Sequence, residues 1–171
     1  MEESGVKKLW APWRLRYLKG EGKEDGCVFC NKPSLDKSND KESLILHRGK
    51  HNFIIMNLFP YNNGHVMVVP YKHTGDFCDL SDDEMLEMMQ LSQLTIKVFK
   101  KVFNTEGFNT GFNLGAAAGA GIRQHLHFHV LPRWTGDTNF MPVLGETRVI
   151  SEHIFDTYDN LKKVFDMEAG E

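Results

Sequence analysis

Hydrophobic and polar side chains alternate strictly along His125, Leu126, His127, Phe128, His129 and Val130, with Leu131 following. A period of two belongs to a half-buried strand, so Leu126, Phe128 and Val130 are expected to face a core while the three histidines line one accessible face. Apolar runs at 43–47, 52–57 and 65–70 predict three further strands, with Tyr61, Asn62, Asn63 and Gly64 supplying turn chemistry between the last two. The period then changes. Ser81, Asp82, Asp83 and Glu84 read as a capping box, in which the serine accepts from the amide of Glu84 and the glutamate reaches back. The apolar run that follows extends to about Phe103, with Met85, Met88, Met89, Ile96, Phe99 and Phe103 as its buried stripe and 104–107 as its stop. Residues 108–114 read as a strand, 115–121 as a tight loop of glycine and alanine, 147–150 as a last strand, and 151–167 as a helix. Strands grouped around one long helix predict an α+β domain with an antiparallel sheet and a C-terminal helix.

The aromatic stretch Trp10, Ala11, Pro12, Trp13, Arg14 to Tyr17 has no period, which makes 1–26 an irregular arm over the domain or a partner subunit. Residues 31–42 turn polar and charged and are expected to form a mobile surface loop. A chain of 171 residues, 41% hydrophobic and 25% charged, suits a single domain. Its net charge of -3 argues against general nucleic-acid binding and leaves a small phosphorylated ligand open. The N-terminus lacks the apolar stretch of a signal peptide and no segment has the length of a membrane span, so the chain reads as cytoplasmic. Three cysteines, two of them in Cys27-Val28-Phe29-Cys30, favour a metal or redox pair over a disulfide framework. Cys78 reads as a small buried hydrophobe, and the helical methionines as packing.

Histidine at all three polar positions of one strand points to chemistry, because imidazole titrates near neutrality. Neighbouring histidines on one face lie about 6.6 Å apart and the outer pair about 13 Å, so with zinc–nitrogen bonds of about 2 Å all three cannot share one ion. A zinc centre using two of them and a ligand from elsewhere stays open. Beside it stands nucleophilic catalysis at phosphorus by the central His127. A neutral imidazole attacks through one nitrogen when the proton on the other is held, for instance by a backbone carbonyl. The loop containing Gly119 and Gly121 lets backbone amides approach phosphate oxygens, although a plain tight turn has the same composition.

The run from His125 to Leu131, followed by Pro132 and Arg133, resembles the signature of the histidine triad family. Upstream, Asn57, Pro60, Gly64 and His65 are similar to the family segment in which an asparagine binds ribose ahead of a central strand. The resemblance covers a core at 44–134 and leaves 135–171 as a C-terminal extension. It implies that His127 is a nucleophile forming a nucleotidyl-histidine intermediate and that His129 contacts phosphate or the leaving group; that the outer histidines His125 and His129 assist is the reading of the strand itself. It makes Asn57 the ribose ligand, while Gly119 and Gly121 remain nucleotide contacts on the reading of the loop given above. His65 becomes a supporting catalytic histidine, with a buried structural histidine as the open alternative. In zinc-bearing branches of the family, two cysteines join two histidines, and that pattern falls on Cys27, Cys30, His73 and His125 as a structural zinc site, with no organic cofactor. His47 and His51 are weaker substitutes.

In one respect the chain departs from the family pattern. Many members place glutamine, serine or threonine in the loop before the triad, whereas this chain offers small residues and then Ile122, Arg123 and Gln124, which shifts phosphate binding toward backbone amides. The aromatic arm, the Cys-x-x-Cys pair and the stretch after Pro132 look most like the branch that includes bacterial diadenosine tetraphosphate phosphorylases. The resemblance therefore implies a homodimeric enzyme acting on a purine nucleotide or dinucleoside polyphosphate, with inorganic phosphate or water as acceptor. A nucleoside phosphoramidate hydrolase and a non-catalytic nucleotide-binding module are the alternatives.

Overall fold

The structure is a computed structural model that describes residues 26–137 and 150–170. The aromatic arm predicted over 1–26, but for Gly26, and the strand predicted at 147–150, but for Ile150, lie outside the described residues. Among the described residues, five antiparallel strands form one sheet in the order β1-β2-β3-β5-β4. They are β1 (Ile45–Arg48), β2 (Asn52–Met56), β3 (Val66–Pro70), β4 (Gly107–Gly111) and β5 (Phe128–Arg133). The first three make the expected meander, and β5 returns to lie between β3 and β4. Every residue of β2 and β3 is buried, which suits their near-continuous apolar sequence.

Among the described residues, four helices accompany the sheet: α1 (Val28–Ser34), α2 (Asp40–Ser43), α3 (Asp82–Phe103) and α4 (Ile154–Ala169). The capping box forms as the sequence predicts, with both the Ser81 and Glu84 bonds present, and Asn104 closes α3 in the left-handed region at φ 47°. The buried stripe of α3 is shifted from the predicted one. Met88 and Phe99 are buried and Met89 is exposed, while Leu91, Ser92, Thr95 and Val98 complete the inner face. Ser92 and Thr95 enter the core because their hydroxyls donate to the carbonyls of Met88 and Leu91 one turn back. Helix α4 packs against α3 and β1, and Tyr158 donates its hydroxyl to the carbonyl of Ile45 at 2.9 Å.

Three expectations are corrected. Residues 31–42 form ordered structure, namely part of α1, a turn of 3-10 helix at Lys37–Asn39 and α2. Arg48 organises them by donating to the carboxylate of Asp40 and to the carbonyls of Pro33 and Leu35. Cys78 is exposed on a 3-10 turn rather than buried. Finally, β5 begins at Phe128, so His125 and His127 precede the strand. Its pairing with β3 ends at Val68 and Phe128, and the amide of Leu126 turns away to the carbonyl of Thr74 at 2.7 Å.

Candidate active site

The three histidines are buried, at 0%, 8% and 6% exposure for His125, His127 and His129, where the alternating pattern predicted an accessible face. They are covered by side chains far away in sequence. The ring of Phe29, in the first turn of α1, lies 5.5 Å from that of His125 and 5.2 Å from that of His127. Tyr61 lies 4.7 Å from His65 and 5.8 Å from His129, centroid to centroid.

Hydrogen bonds to groups of fixed character determine which imidazole nitrogens carry protons. His127 places Nδ1 at 2.9 Å from the carbonyl oxygen of His125. A carbonyl only accepts, so Nδ1 is the protonated nitrogen of the neutral ring and Nε2 keeps its lone pair. Burial also holds the pKa of His127 below the ordinary value. His125 places Nε2 at 2.8 Å from the carbonyl of Pro70, which leaves its Nδ1 as an acceptor. That atom faces the sulfurs of Cys27 at 3.3 Å and Cys30 at 3.6 Å.

A second chain of bonds starts from a backbone amide. Tyr61 donates its N–H to His65 Nδ1 at 3.1 Å, and Asn57 Nδ2 lies 3.2 Å from the same atom. His65 must then carry its proton on Nε2, which donates to His129 Nδ1 at 2.8 Å. His129 consequently presents a protonated Nε2. That atom is buried and has no partner among the described residues. Burial, aided by the nearby His127, lowers the pKa of His129 to about 4, so this ring is a neutral donor at pH 7. A buried donor without an acceptor is costly, and a ligand oxygen would relieve it. The rings of His127 and His129 stand 4.9 Å apart, so the site combines one free lone pair with one free N–H.

The turn bearing Tyr61 is braced from the far end of β5. Asn62 donates Nδ2 to the carbonyl of Pro132 and to Asp137, whose carboxylate also takes a bidentate pair from Arg133 at 2.6 and 2.8 Å. Asn57 is beside His65 but has its side chain engaged, since Oδ1 accepts from the amide of Phe59 at 2.9 Å. Gly119 and Gly121 lie in the exposed turn before the histidines, where an added Cβ would meet nothing within 4 Å. Sequence reasoning missed Phe29, Tyr61, Asn62 and Asp137. For Phe29 the available signal was its place between the paired cysteines.

Cys27, Cys30, His73 and His125 each offer one ligand atom, and these atoms all lie within 4.8 Å of one another. His73 Nδ1 is 3.2 Å from Cys30 Sγ. Tetrahedral zinc with bonds of about 2.0–2.3 Å sets its ligand atoms roughly 3.3–3.8 Å apart, so this cluster fits a closed site of two thiolates and two imidazoles. With Nε2 on Pro70 and Nδ1 among the thiols, His125 has both nitrogens committed. What it offers its neighbour His127 is its backbone carbonyl.

The sequence profile of the HIT domain matches residues 38–136. The chain belongs to the HIT family. It is 40% identical over 157 residues to an AP-4-A phosphorylase of Mycobacterium tuberculosis, a match covering 89% of this chain and 80% of the relative. A bis(5'-nucleosyl)-tetraphosphatase (asymmetrical) of Schizosaccharomyces pombe is 30% identical over 95 residues, 56% of this chain and 52% of that one. Among solved structures, a Zn-bound histidine triad family protein from Mycobacterium smegmatis superposes with a TM-score of 0.64 at 22% identity, over 85% of this chain and 98% of that one. A hypothetical histidine triad nucleotide-binding protein from Sulfolobus tokodaii gives 0.63 at 23% identity, over 84% and 92%. These two likenesses establish the HIT fold.

The buried neutral state of His129 has a measurable consequence in this HIT domain. Its folded pKa of about 4 lies below the value near 6.5 of an unfolded chain, so the unfolded state binds the proton first as pH falls. The stability that this histidine contributes is fully present above roughly pH 6.5 and is lost as pH falls toward 4. Urea unfolding across that window is expected to show a steeper loss for the wild type than for His129→Asn; parallel curves would refute the assignment.

Proposed function

We propose that this protein cleaves dinucleoside polyphosphates of the diadenosine tetraphosphate kind, transferring an adenylyl group through His127. The chain is an enzyme of the HIT family, and its 40% identity to a phosphorylase over most of both chains supports that substrate class. The observation that carries the reading is the pairing of a free lone pair on His127 Nε2 with a free N–H on His129 Nε2, each imposed by backbone groups.

In the proposed reaction, His127 Nε2 attacks the α-phosphorus, and the bond from that phosphorus to the bridging oxygen breaks. The electron pair leaves on the polyphosphate oxygen, stabilised by the His129 N–H. Positive charge develops on the His127 ring as the phosphorus–nitrogen bond forms, and the His125 carbonyl at Nδ1 favours that charge. An oxygen of inorganic phosphate then attacks phosphorus, the phosphorus–nitrogen bond breaks with its pair returning to Nε2, and ADP is released. Water in place of phosphate would release AMP.

Asn57 is assigned to the ribose and the amides around Gly119 and Gly121 to phosphate oxygens. His65 is assigned to fixing the tautomer of His129. Cys27, Cys30, His73 and His125 are assigned to one zinc ion, which with four protein ligands has no open position and supplies structural closure. A homodimer completes the reading.

The test is incubation with diadenosine tetraphosphate with and without inorganic phosphate, followed by chromatography. The expected result is ADP plus ATP only when phosphate is present. AMP plus ATP regardless of phosphate would identify a hydrolase. No turnover in either condition would refute the dinucleotide assignment and favour a phosphoramidate substrate or simple nucleotide binding.

A further inference from the structure

Phe29 lies between Cys27 and Cys30 and is almost fully buried. Its ring touches two histidines with different duties, meeting His125 edge-on at 70° and His127 at 45°. The hydrogen bond from His127 Nδ1, beside the Cβ tether, favours one rotation of the ring about Cβ–Cγ but bears on one edge of the ring only. Contacts on the rest of the ring then decide how firmly Nε2 is aimed. Among the described residues, Phe29 and His129 are the two ring neighbours of His127. Phe29 is apolar, so its contact with the ring adds no donor to compete for the Nε2 lone pair.

We infer that Phe29 is a positioning residue for His127, holding the nucleophile in its attacking orientation and tying that orientation to the Cys-x-x-Cys turn; the inference rests on the nucleotidyl-transfer reading of the site. The backbone around Phe29 explains the second half of this statement. The helix α1 has seven residues, contains Pro33 and has no side-chain bond capping its N-terminus at Cys27. So short a helix does not hold itself together and depends on tertiary anchors. Its C-terminal end is held by Arg48 through the carbonyls of Pro33 and Leu35. Its N-terminal end is held by the two cysteines, whose turn is closed by amides of Cys30 and Asn31 bonding to the Cys27 carbonyl at 3.0 and 2.9 Å. Anchoring both sulfurs therefore fixes the one intervening side chain that reaches the nucleophile. His125 makes the same connection by a second route, since its ring faces the thiols while its carbonyl holds His127.

The test uses the full zinc-loaded protein as wild type, Phe29→Leu, Phe29→Val and Phe29→Ala. Four quantities are read: metal content, melting temperature, the steady-state constants for diadenosine tetraphosphate, and the imidazole nitrogen resonances of His127, assigned by their loss in His127→Ala. Phe29→Ala is expected to keep its zinc and its KM within about twofold while kcat falls by roughly 10- to 100-fold, the effect of a misaimed catalytic group. In the same variant the single Nδ1–H tautomer of His127 is expected to give way to a mixture. Phe29→Leu, which keeps apolar bulk, should recover most of the rate and of the tautomer signal, and Phe29→Val should fall between. If Phe29→Ala does not fold, the graded pair of Leu and Val carries the comparison. A lowered melting temperature with unchanged kcat and an unchanged tautomer would show that Phe29 is only a packing residue and would overturn the inference. If the wild type does not turn over the dinucleotide, the functional reading fails, whereas the tautomer comparison still decides the role of Phe29.

Discussion

Replacing His127 by alanine is expected to lower kcat on a dinucleoside polyphosphate by ~10⁴-fold or more, with KM changed little. The variant deletes the one imidazole nitrogen of the site whose lone pair is free, because the Nδ1 proton is already committed to the His125 carbonyl. The donor on His129 and the substrate contacts remain, so binding survives while the covalent route is removed. Removal of an enzyme nucleophile typically costs roughly this much or more, because the groups that act with it then have nothing to assist. Steady-state assay beside a melting curve separates lost chemistry from lost fold. Residual activity within tenfold of wild type would mean that the acceptor, phosphate or water, attacks phosphorus directly, and His127 would then have a supporting role only.

Removing metal is expected to produce the largest change in stability. The proposed ligands come from three separate stretches of chain: the start of α1, the segment after β3 that carries His73, and the approach to β5. Without an ion, two cysteines and two imidazoles crowd together with no common partner, and α1 loses its N-terminal anchor. Structural zinc contributes free energy directly to folding, and the loss of about 4 kcal/mol would shift the melting temperature of a domain this size by roughly 8–16 °C. Chelation, or the double variant Cys27→Ser with Cys30→Ser, should lower the melting temperature by that order, with activity declining as the fold is lost. Zinc returned to the chelated protein should restore both. Activity abolished by chelation at an unchanged melting temperature would contradict a structural site and point to zinc at the reacting phosphate.

Where a feature depends on neighbours in sequence, it was legible there. The capping box at Ser81 and the left-handed stop at Asn104 bound α3 as expected, since both are local hydrogen-bonding arrangements. The meander followed from short apolar runs joined by turn residues. Alternation around His127 is a poorer guide, for a definite reason. It reports which way successive side chains point, whereas a strand also needs a partner for its amides, and the amide of Leu126 finds Thr74 instead of the sheet. The burial of the histidines was hidden because their covers, Phe29 and Tyr61, lie 98 and 68 positions from His127 and His129 along the numbering. Polarity likewise suggested a loose segment at 31–42, but Arg48 supplies order there from a different element. The protonation pattern of the site depends on the carbonyls of His125 and Pro70 and on the amide of Tyr61, which no side-chain pattern records.

The most direct test of nucleophilic catalysis by His127 is to trap its covalent intermediate. Wild type and His127→Ala would be mixed with diadenosine tetraphosphate in the absence of phosphate, quenched in base, where phosphorus–nitrogen bonds survive, and examined by intact mass and peptide mapping. The predicted result is one AMP adduct on the wild type, located on the peptide containing His127, absent from the variant, and discharged as ADP when phosphate is added before the quench. Turnover of the substrate with no adduct, or an adduct on another residue, would contradict it.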